Sequence, residues 1–241
     1  MQVVPGLHWV ESIWDAKVYL WIDGERVTVV DAAMPGRAGQ VLAHVARLGY
    51  RPEAVAEIWL THGDVDHMGS VAALKARCGA RLVVHRADVP LVEGLAAREL
   101  GPVPFHGALQ RLVNWGIPNL LHYRPAKVDR ALEDGDRLGA WQAVHVPGHT
   151  SGSLCYYHAE RRIVLVGDAI NHRRGRLGPP PRGFSPGMAP GPLGRQGSQA
   201  FASIAKIAAL DFEVCCFGHG PPLVENARRR VQELAESNRA R

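Results

Sequence analysis

Several features are scarce or missing in this chain, and each absence narrows what it can be. No run of eighteen or more apolar residues occurs, so nothing reads as a membrane-crossing helix. The opening residues, Met1-Gln2-Val3-Val4-Pro5-Gly6, lack the basic segment and apolar run that mark a secretory leader. Cysteine is sparse, and the four present (Cys78, Cys155, Cys215 and Cys216) include no Cys-x-x-Cys pair. That spacing argues against a disulfide framework or a zinc ribbon. Neighbouring Cys215 and Cys216 lie in an apolar, strand-like run and alternate faces, as reduced core residues would. These absences together point to a cytoplasmic protein with no membrane partner. Lysine is also rare: arginine supplies most of the 28 basic residues behind a formal charge of +5. No basic stripe with interleaved aromatics accompanies that excess, which disfavours nucleic acid as a partner. Neither a short-period repeat nor a linker divides the chain.

What is present suffices for a sizeable core, since 46% of the 241 residues are hydrophobic. The reading is one domain over residues 1–241. Strand-like runs are expected at Gln2 to Val10, Lys17 to Asp23 and Arg26 to Asp31, with a turn at Asp23-Gly24-Glu25. Apolar residues at helical spacing (Val41, Leu42, Val45, Leu48) predict a helix over Ala38 to Leu48. A further strand is expected at Arg81 to His85. Residues 87 to 124 change character and predict an inserted pair of short helices, Pro90 to Leu100 and Phe105 to Trp115. Strands resume at Lys127 to Leu132, Trp141 to Val146, Ser153 to His158 and Arg162 to Gly167. Residues 171 to 195 form a Pro/Gly-rich stretch with five arginines and no acid, expected as a mobile solvated loop. Helices over Gln196 to Leu210 and Leu223 to Ala240 flank a last strand, Glu213 to Phe217.

The chain is organised around Thr61-His62-Gly63-Asp64-Val65-Asp66-His67-Met68-Gly69-Ser70. Four side chains able to bind a metal crowd into it, between a strand-like run (Ala56 to Leu60) and a predicted helix that stops at Gly79. Two carboxylates and two imidazoles packed so closely ask for a cation. Three later segments repeat the device of a ligand placed just past a strand. Val146-Pro147-Gly148-His149 presents His149, Val166-Gly167-Asp168 presents Asp168, and Phe217-Gly218-His219-Gly220 presents His219. Asp31, also at a strand end, suits a supporting role around the site better than a ligand role.

This spaced set resembles the metal motif of the metallo-β-lactamase fold superfamily, His-x-His-x-Asp-His followed by His, Asp and His at strand ends. The resemblance implies a four-layer αββα sandwich (α/β, or α+β, class) with its site along one edge of the two sheets. Carried over by position, His62, Asp64 and His149 would hold one metal, Asp66, His67 and His219 a second, and Asp168 would bridge them. Asp66 would also act catalytically, orienting the nucleophile or relaying its proton. The departure is Asp64, where most of the superfamily has histidine. A carboxylate is a harder ligand than an imidazole. The cofactor expectation is therefore two divalent ions, zinc first by resemblance, with iron or manganese favoured by Asp64.

The activity implied is a binuclear metal-dependent hydrolase, in which a metal-bridging hydroxide attacks a small ester, lactone or thioester. An iron-dependent oxidoreductase acting on oxygen, nitric oxide or a persulfide is the alternative, because a di-iron branch of the superfamily carries glutamate where this chain has Asp64. A phosphodiesterase ranks below both, and a non-catalytic binding protein is disfavoured by retention of all seven ligand positions. The His-x-Asp-x-Asp-His-x-Gly-Ser form, with Phe184-Ser185-Pro186 after the Gly-Asp strand, resembles a group of stand-alone bacterial hydrolases. Branches with a glutathione-binding helical extension or an RNA-binding arm fit less well. The partner expected is a small-molecule substrate.

Overall fold

The computed structural model describes residues 1–96, 123–173, 175–178 and 195–239. Short, largely continuous apolar runs form the strands, and successive side chains fall into different cores. The first half comprises β1 (Gln2–Val4), β2 (Leu7–Trp9), β3 (Tyr19–Asp23), β4 (Arg26–Val30), α1 (Ala38–Arg47), β5 (Val55–Trp59), α2 (Val65–Met68), α3 (Val71–Cys78), β6 (Arg81–His85) and α4 (Val89–Val92). The second comprises β7 (Arg130–Leu132), β8 (Arg137–Leu138), β9 (Trp141–His145), β10 (Leu154–His158), β11 (Ile163–Leu165), β12 (Asn171–Arg173), β13 (Arg176–Gly178), α5 (Arg195–Ala208), β14 (Val214–Cys216) and α6 (Ala227–Arg239).

One sheet takes the order β1-β2-β3-β4-β5-β6-β7, and its last four strands run parallel. The other takes the order β14-β11-β10-β9-β8, with β11 and β14 parallel and the rest antiparallel. Alternation explains the layering. Val29, Ile58 and Leu82 face a core shared with Val41 and Val45 of α1 and Leu74 of α3. Their neighbours Val30, Trp59 and Val83 face the opposite sheet, against Leu154, Tyr156 and Leu165. A third core packs Val144, Val164 and Phe217 under Ile204 and Ile207 of α5 and Val231 of α6. Each fully buried aliphatic side chain of this kind contributes about 1.5–3 kcal/mol. The result is the expected αββα sandwich. Cys216 faces the inter-sheet core and Cys215 the helical one, and all four cysteines are free and buried.

The connections differ from expectation in four places. The strand expected over Gln2 to Val10 is a hairpin of β1 and β2, because Gly6 at φ 84° turns the chain after Pro5. The last helix starts at Ala227 rather than Leu223, since Leu223 exchanges both backbone hydrogen bonds with Cys215 (2.9 and 2.8 Å) and serves as sheet edge. The segment opening at residue 171 is ordered into the β12–β13 hairpin rather than loop; Phe184-Ser185-Pro186 and the rest to residue 194 lie outside the described residues. Of the helix expected over Pro90 to Leu100, the described residues form the single turn α4, followed by Gly94 at φ 69°, and residues 97–100 lie outside the described residues. Its expected companion, Phe105 to Trp115, lies outside the described residues. No helix among the described residues is long and apolar enough to cross a membrane.

Strands β4, β5 and β6 of one sheet and β9, β11 and β14 of the other each release a loop at their carboxyl ends. Those loops carry, in turn, Asp31, residues 61–67, Asp88, His149, Asp168 and His219. Carboxyl ends of strands are where open sheets place ligands.

Candidate metal centre

All seven residues singled out by sequence meet at this edge. His62, Asp64 and His149 offer ligand atoms within 4.8 Å of one another; so do Asp66, His67 and His219, and so do His62, His67 and Asp168. Within the first group, His149 Nε2 lies 2.9 Å and His62 Nε2 3.5 Å from Asp64 Oδ2. Within the second, His219 Nε2 lies 3.3 Å and His67 Nε2 3.8 Å from Asp66 Oδ2. Asp168 reaches both: Oδ1 lies 3.5 Å from His67 Nε2, and Oδ2 lies 3.6 Å from His149 and 3.3 Å from His219.

The loops can converge this tightly because small residues let them. A Cβ on Gly218 would stand 2.1 Å from Asp168 Oδ1 and 2.8 Å from the His67 ring. At Gly148, φ is 144° and a Cβ would strike the backbone of Ala200 on α5. The turn before His149 is therefore pinned to that helix.

Buried carboxylates behind the cluster set the histidine tautomers. Asp31 sits at φ 62°, a left-handed conformation unusual for a residue other than glycine. From there its Oδ2 accepts from His67 Nδ1 (2.9 Å) and Thr61 Oγ1 (2.9 Å), and its Oδ1 accepts from Thr61 N (2.8 Å). The Thr61 hydroxyl, donating to Asp31, is left to accept from His62 Nδ1 at 2.9 Å. Both rings thus turn Nε2 inward, where each offers a lone pair once deprotonated. The supporting role expected for Asp31 matches this geometry.

A second anchor, Asp88, carries no motif in the sequence. It is fully buried. Its Oδ2 accepts from Gly63 N (2.8 Å) and Thr150 Oγ1 (3.0 Å), tying the loop of His62 to the loop of His149. Its position three residues past β6, in a sheet whose neighbouring strand ends carry site residues, was the available signal.

The charge balance asks for a cation. Burial disfavours an ionised His67, yet the nearby carboxylates of Asp31, Asp66 and Asp168 outweigh it and raise its pKa to about 10. His219 is raised to about 9 against its own burial, chiefly by hydrogen bonds to Asp168 and Asp66. Burial would raise Asp64 and Asp168, but hydrogen bonds and charge from the surrounding imidazoles hold both below the usual carboxylate range. Even so, His62 Nε2, His67 Nε2 and Asp168 Oδ1 are buried with no hydrogen-bond partner. Buried polar atoms are normally satisfied. Inward-facing imidazole and carboxylate donors of this kind fit zinc, iron or manganese.

The cluster is closed on one side and open on the other. Asp64, His67 and His149 are buried, whereas the Asp66 side chain is 31% and that of His219 20% exposed. Beyond His219 opens a cavity of about 360 Å³ lined by Trp9, Trp14, Asp15, Lys17, Gly220 and Pro221. Trp14 is 77% exposed there, and the Lys17 ammonium stands 4.9 Å from the Trp9 ring centroid. Larger cavities, of about 760 and 660 Å³, lie away from the cluster.

Comparison with known proteins follows the same lines. A family model described as the metallo-beta-lactamase superfamily matches residues 14–219. A probable metallo-hydrolase of Bacillus subtilis, YflN, is 25% identical over 221 residues, covering 86% of this chain and 80% of its own. The hydroxyacylglutathione hydrolase of Pseudomonas aeruginosa is 32% identical over 161 residues, covering 63% of this chain but 47% of the enzyme. Among solved structures, a metallo-beta-lactamase family protein of Thermus thermophilus superposes with a TM-score of 0.73 at 24% identity, covering 99% of this chain and 81% of that one. A protein solved in a di-iron-bound form, TTHA1623, gives a TM-score of 0.63 at 28% identity, with 90% and 93% covered.

Proposed function

Because this chain belongs to the metallo-beta-lactamase superfamily, and is a metallo-hydrolase by the relatives it matches, we propose that it hydrolyses a small ester, lactone or thioester with two divalent metal ions. One observation carries the proposal: Asp168 stands within 3.6 Å of histidines from both ligand groups, as a bridging carboxylate must. His62, Asp64 and His149 are assigned to one ion, Asp66, His67 and His219 to the other. Such a pair, when bound, acidifies a water and polarises the substrate oxygen.

The chain's own residues divide the remaining work. Asp66 is the carboxylate of the set open to solvent, and is assigned to orient the water and pass its proton outward. Asp31 holds His67 in the tautomer that leaves Nε2 free to coordinate. Trp14 supplies an apolar platform at the mouth for an acyl or aryl group. Lys17, lowered in pKa by burial, places a cation where a substrate carbonyl or carboxylate would lie.

The thioester branch draws support from similarity to hydroxyacylglutathione hydrolases, although the match spans about half the length of those enzymes. The test is a panel of ester, lactone and thioester substrates on protein reconstituted with zinc, manganese or iron. Turnover requiring two metal equivalents supports the reading; silence across the panel with every metal refutes it. A second reading, iron-dependent redox chemistry, is favoured by Asp64 and by the di-iron form of a 28% identical structure. Asp64→His discriminates. Under the hydrolase reading it shifts metal preference toward zinc and keeps turnover, whereas oxygen or nitric oxide consumption that vanishes with it supports the redox reading.

A further inference from the structure

The loop from Glu11 to Lys17, between β2 and β3, frames the open side of the metal centre. Its sequence interleaves plugs with cavity residues. Ile13 and Ala16 are fully buried, Val10 N donates to Val18 O at 3.0 Å across the base, and Asp15 pairs with Arg37 at 3.3 Å. That leaves Trp14, Asp15 and Lys17 to line the cavity beside His219. Arg37, 5.9 Å from the Trp14 ring centroid, braces the indole as well.

Lys17 is tied directly to the outer ligand group. Its backbone N–H donates to Gly218 O at 2.8 Å, one residue before His219. Two residues on, the buried Tyr19 hydroxyl donates to Phe217 O at 3.0 Å. Residues 17–19 are thus stitched twice to the segment that presents His219, and the Lys17 side chain starts beside that ligand. Its ammonium is half-buried and stands 4.9 Å from the Trp9 ring centroid.

That ammonium lacks a full counter-charge. It forms no ion pair among the described residues, and Asp15, which attracts it, is already engaged by Arg37. Attraction to the Trp9 ring offsets only part of the cost of burying a cation. Two cations and one acid leave this corner net positive before any metal is counted. The cavity, about 360 Å³, is near the lower end of small-molecule sites, so the group it admits is short. Exposed Trp14 supplies an apolar surface at its rim.

We propose that Lys17 selects an anionic substrate: a small ester or thioester with a carboxylate a few bonds from its scissile carbonyl. The carboxylate meets the Lys17 ammonium, and the carbons between rest on Trp14. This assignment deepens the hydrolytic reading and rests on it. Its test uses the metal-loaded full chain and two matched substrates, 3-acetoxybenzoate and its neutral twin 3-acetoxybenzamide, with their acetylthio counterparts. The acid is expected to exceed the amide in kcat/KM by about tenfold or more, chiefly through KM, the scale of one charge-assisted contact. Lys17→Met keeps the stem over Trp9 and should make the twins nearly equal, whereas Lys17→Arg keeps the charge and should retain most of the preference. Lys17→Gln takes the place of Lys17→Met if melting curves show that methionine disturbs the fold. Equal turnover of the twins by the unmutated protein would overturn the proposal. So would a preference for the acid that survives Lys17→Met, because it would belong to the metals. Silence on both twins refutes the hydrolytic reading, and calorimetric titration with 3-hydroxybenzoate and 3-hydroxybenzamide then decides the anion site separately. Tighter binding of the acid, lost in Lys17→Met, upholds Lys17 as an anion-selecting residue; equal binding overturns it.

Discussion

The two ligand groups of the metal centre share a chemistry but not an environment. His62, Asp64 and His149 lie sealed beneath the loops, at 3% exposure or less. His219 looks out onto the aromatic cavity and Asp66 is partly open to solvent, with His67 alone of their group buried. The sealed group is braced by the chain on two sides, through Thr61 to Asp31 and through Gly63 and Thr150 to Asp88. The open group leans on Asp31 through His67, and its other two members meet solvent. The contrast suggests a division of labour. Under the proposed function the inner group would fix a metal in place, and the outer one would meet substrate and exchange protons.

The largest way to break that contrast is to remove the residue common to both groups. Asp168→Ala is expected to lose most bound metal and to reduce turnover by about a thousandfold or more, because neither ion keeps its shared carboxylate. Elemental analysis beside kinetics reads this out; two retained equivalents would sink the bridging assignment. Next comes Asp31→Asn, which disturbs the partner of His67 directly and that of His62 only through Thr61. Metal affinity should fall by about 10–100-fold, more at the outer position than the inner. Competition with a chromophoric chelator resolves the two.

A pH experiment sharpens the comparison further. In the metal-free protein His67 and His219 have pKa values of about 10 and about 9, above the value near 6.5 of an unfolded histidine. Groups raised on folding stabilise fully below their unfolded pKa and lose that contribution as pH climbs through the folded one. Metal-free protein should therefore melt at progressively lower temperature from about pH 7 to pH 10. Metal-loaded protein, whose imidazoles are already deprotonated, should not show this decline. Parallel melting curves for the two forms would contradict the account. The smallest effect is expected at Trp14→Ala. It should raise KM with kcat nearly retained, and shift stability by no more than about 0.5 kcal/mol for so exposed a side chain. A fall in kcat alone would place Trp14 in the chemistry rather than at the mouth.

Much of this was legible in the sequence, for a physical reason. Ligands at strand ends are spelled as a polar residue beside glycine after an apolar run, and residues 62, 149, 168 and 219 all follow that form. The αββα layering was readable because short β-branched apolar runs such as Arg81–His85 and amphipathic helices such as Ala38–Arg47 differ in length and spacing. Asp88 escaped notice because its partners, Gly63 and Thr150, are 25 and 62 residues away and their contact exists only in the folded chain. The β12–β13 hairpin escaped because arginine and glycine around residues 173–178 read as a loop, while backbone pairing between Asn171 and Gly178 needs no apolar pattern.

The most direct test of the central claim is stepwise titration of the metal-free protein with zinc or manganese, with hydrolysis of a responsive ester or thioester followed at every step. Two equivalents per chain are predicted, the first bound without appreciable turnover and the second bringing activity with it. Full activity at one equivalent, with no further rise at two, would contradict a centre in which Asp168 joins two metals.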